Sequence, residues 1–502
     1  MAKKTVFLTG ASGSMGGAAF KELRRRRDKY DTVILVRPSR KNKKLFRGYE
    51  GRKGLPVGQR GVVELDDLRI VWGDLTNYED VLTAVTGADY VLHPAAFIAP
   101  AADHNPPLAE RINVGAAKNI VAAIKAQPNG GDDVRLVNIG SVAEYGDRLP
   151  PIHMVRIGDP LKPSVFDFYA TTKICAERIV IESSLKYWVS IRQTYIAIPD
   201  AMSLMDPILY HQPINTHIEF VTADDAGYGL VQCLEVPDDF WGRIYNMGGG
   251  PACRFMFVDY IRDMMKILGM GDFRKIMRRN WFALRNFHCN WFADSHVLNE
   301  YLGHWRQSLE DHYQQVKDAA PWYIKLGKMV PKYIIKKFFT EKMTLGKDGT
   351  MYWVKNSNEG RITAFYGSME KFEDIPDWDV DMPEAGGDYT LLDHGYDDKK
   401  PNEKIDWEDA QSAAKFRGGE CLSDNFIDMR TKLRWKCAFG HEFEATPTLV
   451  LRAGHWCPEC LPPPWDYDKI AKKNHFFAQI YYTNHDKNEN NFYDEKCYED
   501  IL

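Results

Sequence analysis

One turn near the N-terminus constrains this chain more than any other stretch: Thr9-Gly10-Ala11-Ser12-Gly13-Ser14-Met15-Gly16-Gly17. An apolar run at 5–9 precedes it, and a helical pattern over about 15–27 follows. Glycines at 10, 13 and 16 let the backbone turn tightly and let the helix pack close against the strand. The next apolar run, Val33-Ile34-Leu35-Val36, completes a strand–turn–helix–strand unit. Such a unit opens a parallel sheet wound with helices on both faces.

The alternation continues. Strand-like runs recur at 69–72, 89–93, 136–139 and 189–194, with helical runs between them at about 77–86, 108–126 and 168–186. The expected fold class is α/β: a Rossmann-type doubly wound parallel sheet with a smaller C-terminal substrate region, an extension and a small zinc-binding module. The 502 residues divide into a sheet domain at 1–300 (core about 4–195, substrate region about 196–300) and an aromatic, basic helical extension at 301–369. An acidic linker or loop at 370–404, a cysteine-bearing module at 405–465 and a tail at 466–502 follow.

Lys plus Arg is 65 and Asp plus Glu is 69, a net charge of −4, which excludes a wholesale nucleic-acid binder. No apolar run is long enough to span a membrane, and the N-terminal one is too short for a signal peptide. Nine cysteines are too few for a disulfide scaffold. The expectation is a cytoplasmic protein.

A glycine turn at a helix start suits phosphate, because backbone N–H groups and the helix dipole both favour an anion. In this strand–turn–helix setting the expected ligand is a dinucleotide, cradled by Gly10, Ser12, Gly13, Ser14, Met15 and Gly16. The second strand ends in Arg37-Pro38-Ser39-Arg40 with no acid. An acid would hold the ribose 2′-hydroxyl of NAD, whereas arginine accommodates a 2′-phosphate. Arg37, Ser39 and Arg40 therefore favour NADP(H), with NAD as the alternative. Residues 21–60 hold fifteen basic groups against four acidic ones, read mainly as a solvated face and a lysine-rich loop.

The run Phe168-Tyr169-Ala170-Thr171-Thr172-Lys173 places a phenol and an ammonium four residues apart on one helix face. A nearby ammonium lowers a phenol's pKa and lets it exchange a proton with an alcohol or ketone. Ser141, at the end of an apolar strand in Gly140-Ser141-Val142-Ala143-Glu144-Tyr145-Gly146, is placed to hold the substrate oxygen.

With these residues in view, about 4–300 resembles the extended short-chain dehydrogenase/reductase family, also called the NAD-dependent epimerase/dehydratase group. The resemblance adds Asp74 and Leu75 of Gly73-Asp74-Leu75, Ala95 and Ala96 of His93-Pro94-Ala95-Ala96, Asn113 of Asn113-Val114-Gly115, and Ile196 as cofactor-binding residues. Asp224-Asp225-Ala226 and Tyr245-Asn246-Met247-Gly248 are similar to its late motifs. It implies hydride transfer at a secondary alcohol or ketone. Tyr169 would be the general acid/base, Lys173 would lower its pKa and hold the nicotinamide ribose, and Ser141 would orient the substrate. It also implies a homodimer through the helix that carries Tyr169 and Lys173.

Departures from the family pattern narrow the chemistry. Val142 and Ala143 stand where dehydratases carry an Asp-Glu pair, which disfavours dehydration. The leading expectation is an NADP(H)-dependent oxidoreductase acting on a hydrophobic ketone or alcohol. The stretch 195–220 (Tyr195, Ile196, Ile198, Met202, Leu204, Met205, Ile208, Leu209, Tyr210) would line its pocket, with ordinary core packing as the equal alternative. Its rivals are an NAD-retaining sugar-nucleotide epimerase and a non-catalytic dinucleotide sensor with a zinc interaction module.

Near the C-terminus, Cys437-x3-His441 and Cys457-x2-Cys460 give structural-zinc spacing, with Cys421 an alternative to His441. The stretch resembles zinc-ribbon or treble-clef modules. The acidic segment 370–398, eleven acids against one lysine, argues against nucleic acid and for a structural cap or protein contact. Residues 322–340 mix aromatics with lysines and are interrupted by Pro331; packing against the main domain is favoured over a membrane surface. His288 and Cys289 read as packing residues.

Overall fold

The computed structural model describes residues 3–200, 206–321 and 329–502. In chain order the strands are β1 (Lys4–Thr9), β2 (Tyr30–Val36), β3 (Gly61–Glu64), β4 (Leu68–Trp72), β5 (Tyr90–His93), β6 (Arg135–Ser141), β7 (Met154–Val155) and β8 (Tyr187–Gln193). They continue as β9 (Tyr195–Ala197), β10 (His217–Thr222), β11 (Arg243–Met247), β12 (Arg254–Met256), β13 (Trp291–Phe292), β14 (Glu420–Cys421), β15 (Leu433–Lys436) and β16 (Glu442–Ala445). The main sheet has eight strands in the order β11-β8-β6-β5-β1-β2-β4-β3. Only the β3–β4 edge pair is antiparallel; the other neighbours run parallel. The winding direction reverses between β1 and β5, so the crevice beyond their carboxyl ends is where a ligand fits in such a sheet.

Eight helices of the first half are α1 (Ser14–Arg25), α2 (Arg40–Glu50), α3 (Tyr78–Val85), α4 (Ala101–His104), α5 (Pro106–Ala109), α6 (Gly115–Lys125), α7 (Phe168–Ile181) and α8 (Ala223–Gln232). Burial on both faces explains the unbroken apolar run of β1. Val6 and Leu8 join one core with Ala19 and Leu23 of α1, while Phe7 joins the other with Val81 of α3 and Ile120 of α6.

Two expectations change. The continuous helix over 108–126 is interrupted by a π turn at Glu110–Val114, where the buried Asn113 side chain bonds the Phe97 backbone and Thr172 instead of solvent. The basic stretch after β2 folds as α2 because one of its faces is not solvated. Lys43 pairs with Glu50 at 3.1 Å, Glu50 accepts from the Trp72 indole at 2.6 Å, and Phe46 packs edge-on against Phe20.

Residues 370–404 lie along the body of the molecule and do not bridge across solvent. Trp378 donates its indole N–H to the Met277 carbonyl at 2.9 Å, and Leu392 and His394 are buried. Nor does the cysteine-bearing stretch keep a core to itself. Ile405, Ala413, Leu433, Trp435, Leu449 and Val450 share one buried cluster with residues of α3, α6 and α7. The tail docks through Glu489, which accepts two 2.9 Å bonds from Arg285, and through Asn484, which donates to Asp147 at 2.6 Å. Among the described residues no helix is long and apolar enough to cross a membrane.

Candidate active site

The glycine turn is built as its spacing requires. Gly10 has φ 64°, and a Cβ there would meet the Ala95 backbone at 3.0 Å; a Cβ on Gly16 would stand 2.2 Å from the Gly10 carbonyl oxygen. Only glycine fits either position. Gly13 caps α1 without a side-chain bond, which leaves the first N–H groups of the helix directed at the turn. The turn forms one wall of a cleft of about 740 Å³.

That cleft brings most of the sequence-predicted residues together. Gly10, Ser12, Gly13, Ser14, Met15, Gly16, Arg37, Asp74, Leu75, Ala95, Ala96, Ser141, Tyr169, Lys173 and Ile196 all line it. Three do not. Ser39 caps α2, accepting from the Asn42 N–H at 3.2 Å, and Arg40 is the exposed first residue of that helix. Asn113 sits behind the wall and ties the Phe97 backbone to α7. Arg111, Gln193 and Thr194 line the cleft unanticipated. Gln193 stands opposite Ser141 in the β6–β8 register, so the rule that ligands gather at the carboxyl ends of parallel strands would have found it.

Ser141 ends β6 and caps the following turn: its Oγ accepts from the Ala143 N–H at 3.2 Å, and its own N–H donates to Glu144 Oε1 at 2.7 Å. Burial pushes the Tyr169 phenol well above its usual range, and a hydrogen bond with Ser141 draws it partly back. Lys173 donates to the Ile139 carbonyl. Burial holds its ammonium below the usual lysine value, against the opposing pull of the Glu144 and Glu177 carboxylates. The Lys173 ammonium is engaged at the Ile139 carbonyl of β6, two residues before Ser141, whose hydrogen bond draws the phenol down. His93, bonded to Thr9 at 2.9 Å, is pushed by burial down to about 3 and is neutral.

The N-terminus of α7 is flanked by acids. Asp167 caps it at 2.8 Å and pairs with His288 at 2.6 Å, while Asp103 accepts the Tyr169 backbone N–H at 2.9 Å. Burial, reinforced by Asp167, holds the Asp103 carboxyl well above the carboxylate range. Asp103, His104, Asp167, His211, His288 and Arg361 are among the walls of a cavity of about 60 Å³ beside this helix end. His288 is thus a polar lining group as well as a packing residue. The apolar stretch goes elsewhere: Leu209 and Tyr210 are buried in a core with Phe255 and Trp281, and Tyr195 is exposed. Met202, Leu204 and Met205 lie outside the described residues.

At the C-terminal site, the ligand atoms of Cys437, His441, Cys457 and Cys460 all lie within 4.8 Å of one another, and Cys421 is not among them. Gly440, at φ 88°, turns the knuckle, and the Phe439 N–H donates to the Cys437 sulfur at 3.4 Å. Three sulfurs and an imidazole converging in this way are the donor set of a closed tetrahedral metal site.

A Rossmann-type sheet with its glycine-turn cleft walled by Ser141, Tyr169 and Lys173 is the arrangement the sequence resemblance implies. Residues 6–197 match the model of the NAD dependent epimerase/dehydratase family. No curated protein matches the sequence. Among solved structures, the chain is similar to dTDP-glucose 4,6-dehydratase from Bacillus anthracis str. Ames in complex with NAD, at 15% identity over 64% of this chain and 97% of that one, TM-score 0.49. It is also similar to UDP-glucuronic acid 4-epimerase from Bacillus cereus in complex with NAD, at 19% identity over 64% and 99%, TM-score 0.47.

The helix that carries Tyr169 and Lys173 packs against the C-terminal module. Every residue of α7 is buried or half-buried. The C-terminal module covers it: Arg178 donates to the Trp456 carbonyl at 3.2 Å, and Glu182 accepts from the Thr446 hydroxyl at 2.7 Å.

Proposed function

We propose that this chain transfers hydride between a nicotinamide dinucleotide and a secondary alcohol or ketone of a hydroxyl-rich, sugar-nucleotide-like substrate, and that its net reaction is epimerisation. The observation that carries the reading is the presence of Ser141, Tyr169 and Lys173 in the wall of the glycine-turn cleft. The dinucleotide, when bound, supplies the hydride donor and acceptor. Gly10, Gly13 and Gly16 with the α1 N-terminus would hold its phosphates, and Asp74, Leu75, Ala95, Ala96 and Ile196, which line the same cleft, would contact the rest of it. Ser141 holds the substrate oxygen, Tyr169 gives or takes the proton there, and Lys173, one turn along α7, supplies the positive charge that lets the phenol ionise.

Arg111, Gln193 and Thr194 in the cleft wall offer hydrogen bonds to a hydroxylated substrate and support this reading. A second reading, net reduction with exchangeable NADPH, is favoured by Arg37 on the cleft edge and the absence of an acid there. We further propose that Cys437, His441, Cys457 and Cys460 hold structural zinc and that the chain acts without a dimer through α7. The test is purified full-length chain against nucleotide sugars and apolar ketones, with the bound cofactor identified. Epimerised sugar without net change at 340 nm is expected. Stoichiometric NADPH oxidation with ketones alone would overturn the epimerase reading.

A further inference from the structure

Glu177 lies one turn beyond Lys173 on α7 and is fully buried. Its carboxylate accepts from the Ser190 hydroxyl at 2.8 Å, from Arg192 Nε at 3.2 Å and Nη2 at 2.5 Å, and from His455 Nε2 at 2.9 Å. Arg192, equally buried, donates on to the Ala453 carbonyl at 2.6 Å and stands 3.3 Å from Glu144 Oε2. Glu144 in turn accepts the Ser141 N–H. A continuous chain of contacts thus runs His455–Glu177–Arg192–Glu144–Ser141, and its two carboxylates are the ones that act on the Lys173 ammonium.

A buried guanidinium–carboxylate pair is costly unless its remaining donors and acceptors are met. Here two of those partners, His455 and the Ala453 carbonyl, come from the chain just ahead of Cys457. Removing them would leave Arg192 and Glu177 short of bonds in a site closed to water, and both would shift. Glu144 and the Ser141 backbone would move with them.

We propose that Glu177 is a positioning residue for the Ser141–Tyr169–Lys173 trio, and that the cysteine-bearing module buttresses the catalytic site from behind, holding Glu177 and Arg192 through His455 and Ala453. This rests on the proposed function for its kinetic consequence only. The geometric consequence needs no substrate.

The test uses full-length, metal-loaded chain carrying His455→Leu, His455→Gln or Glu177→Gln. Hydrogen exchange at the Ser141 amide, dinucleotide affinity, and kcat and KM on the active substrate are measured, with metal content as the control. Exchange at Ser141 is expected to rise in His455→Leu and Glu177→Gln. In both, kcat should fall by about 10- to 100-fold, the scale of a small misplacement of reacting groups, with dinucleotide affinity and metal content retained. His455→Gln, which keeps an N–H toward Glu177, should restore most of both. A folded His455→Leu chain with unchanged Ser141 exchange and kcat would overturn the proposal, as would a loss that His455→Gln fails to repair. If His455→Leu does not fold, the isosteric Glu177→Gln decides by the same measurements. A chain that turns over no substrate would refute the proposed function and leave the exchange result to stand on its own.

Discussion

Truncating Leu449 to alanine tests whether the C-terminal module and the sheet domain fold as one body. Leu449 is fully buried, 0% exposed, in the cluster that also holds Val180 and Ile181 of α7 and Val81 of α3. A buried Leu→Ala change costs about 2–5 kcal/mol, the transfer of the lost methyl groups plus the cavity left behind. At about 2.1 cal/mol/K of unfolding entropy per residue, a cooperative body of this length should lose roughly 2–5 °C in melting temperature. Scanning calorimetry of the wild type should show one transition, and Leu449→Ala should move all of it. The reasoning fails if the wild type melts in two steps and the substitution shifts only the smaller. The module would then be a separate domain resting on α7.

Other consequences follow from single residues. Arg37→Ala should weaken NADPH binding by about 10- to 100-fold, the worth of a charge-assisted bond, and leave NADH binding nearly unchanged; fluorescence titration with both nucleotides measures the ratio. Burial raises the Asp147 and Glu489 carboxyls, but Lys162 beside Asp147, and His485 and Arg285 beside Glu489, bring both net below the usual range. Carboxyls depressed in the folded state stabilise fully above the unfolded value of about 4 and lose that contribution as pH falls. Limited proteolysis should therefore release the tail from about 466 onward progressively faster as pH falls below about 4, while the same tail resists at pH 7. Metal analysis should find one zinc per chain, reduced in Cys457→Ser, with the Trp435 and Trp456 fluorescence altered on chelation.

The parallel sheet was legible because strands buried on both faces leave unbroken apolar runs, as in Val33-Ile34-Leu35-Val36, and because Gly10 and Gly16 occupy positions no other residue can. The Tyr169–Lys173 pair was visible as four-residue spacing on one helix, and the two Cys/His knuckles as short local spacings that the fold brings within 4.8 Å. What the sequence concealed depends on contacts between distant segments. Nothing near Lys43 announces that Glu50 and Trp72 will bury it. The acids of 370–398 suggest solvent, yet Trp378 anchors that segment to Met277. The apolar residues after β9 read equally well as pocket or core, and Leu209 and Tyr210 took the core. His455 carries no motif at all: its partner Glu177 is 278 residues away in sequence.

The central claim is that Tyr169 moves the proton that accompanies hydride transfer. On whichever substrate proves active, kcat of Tyr169→Phe compared with wild type, beside dinucleotide affinity and melting temperature, tests it directly. The substitution removes one hydrogen bond to Ser141, worth about 0.5–1.5 kcal/mol of stability, but the whole of the acid/base catalysis, about 10²–10⁴ in rate. The account predicts a folded protein that binds dinucleotide normally and turns over at least about a hundredfold more slowly. A Tyr169→Phe chain that turns over at the wild-type rate would contradict it.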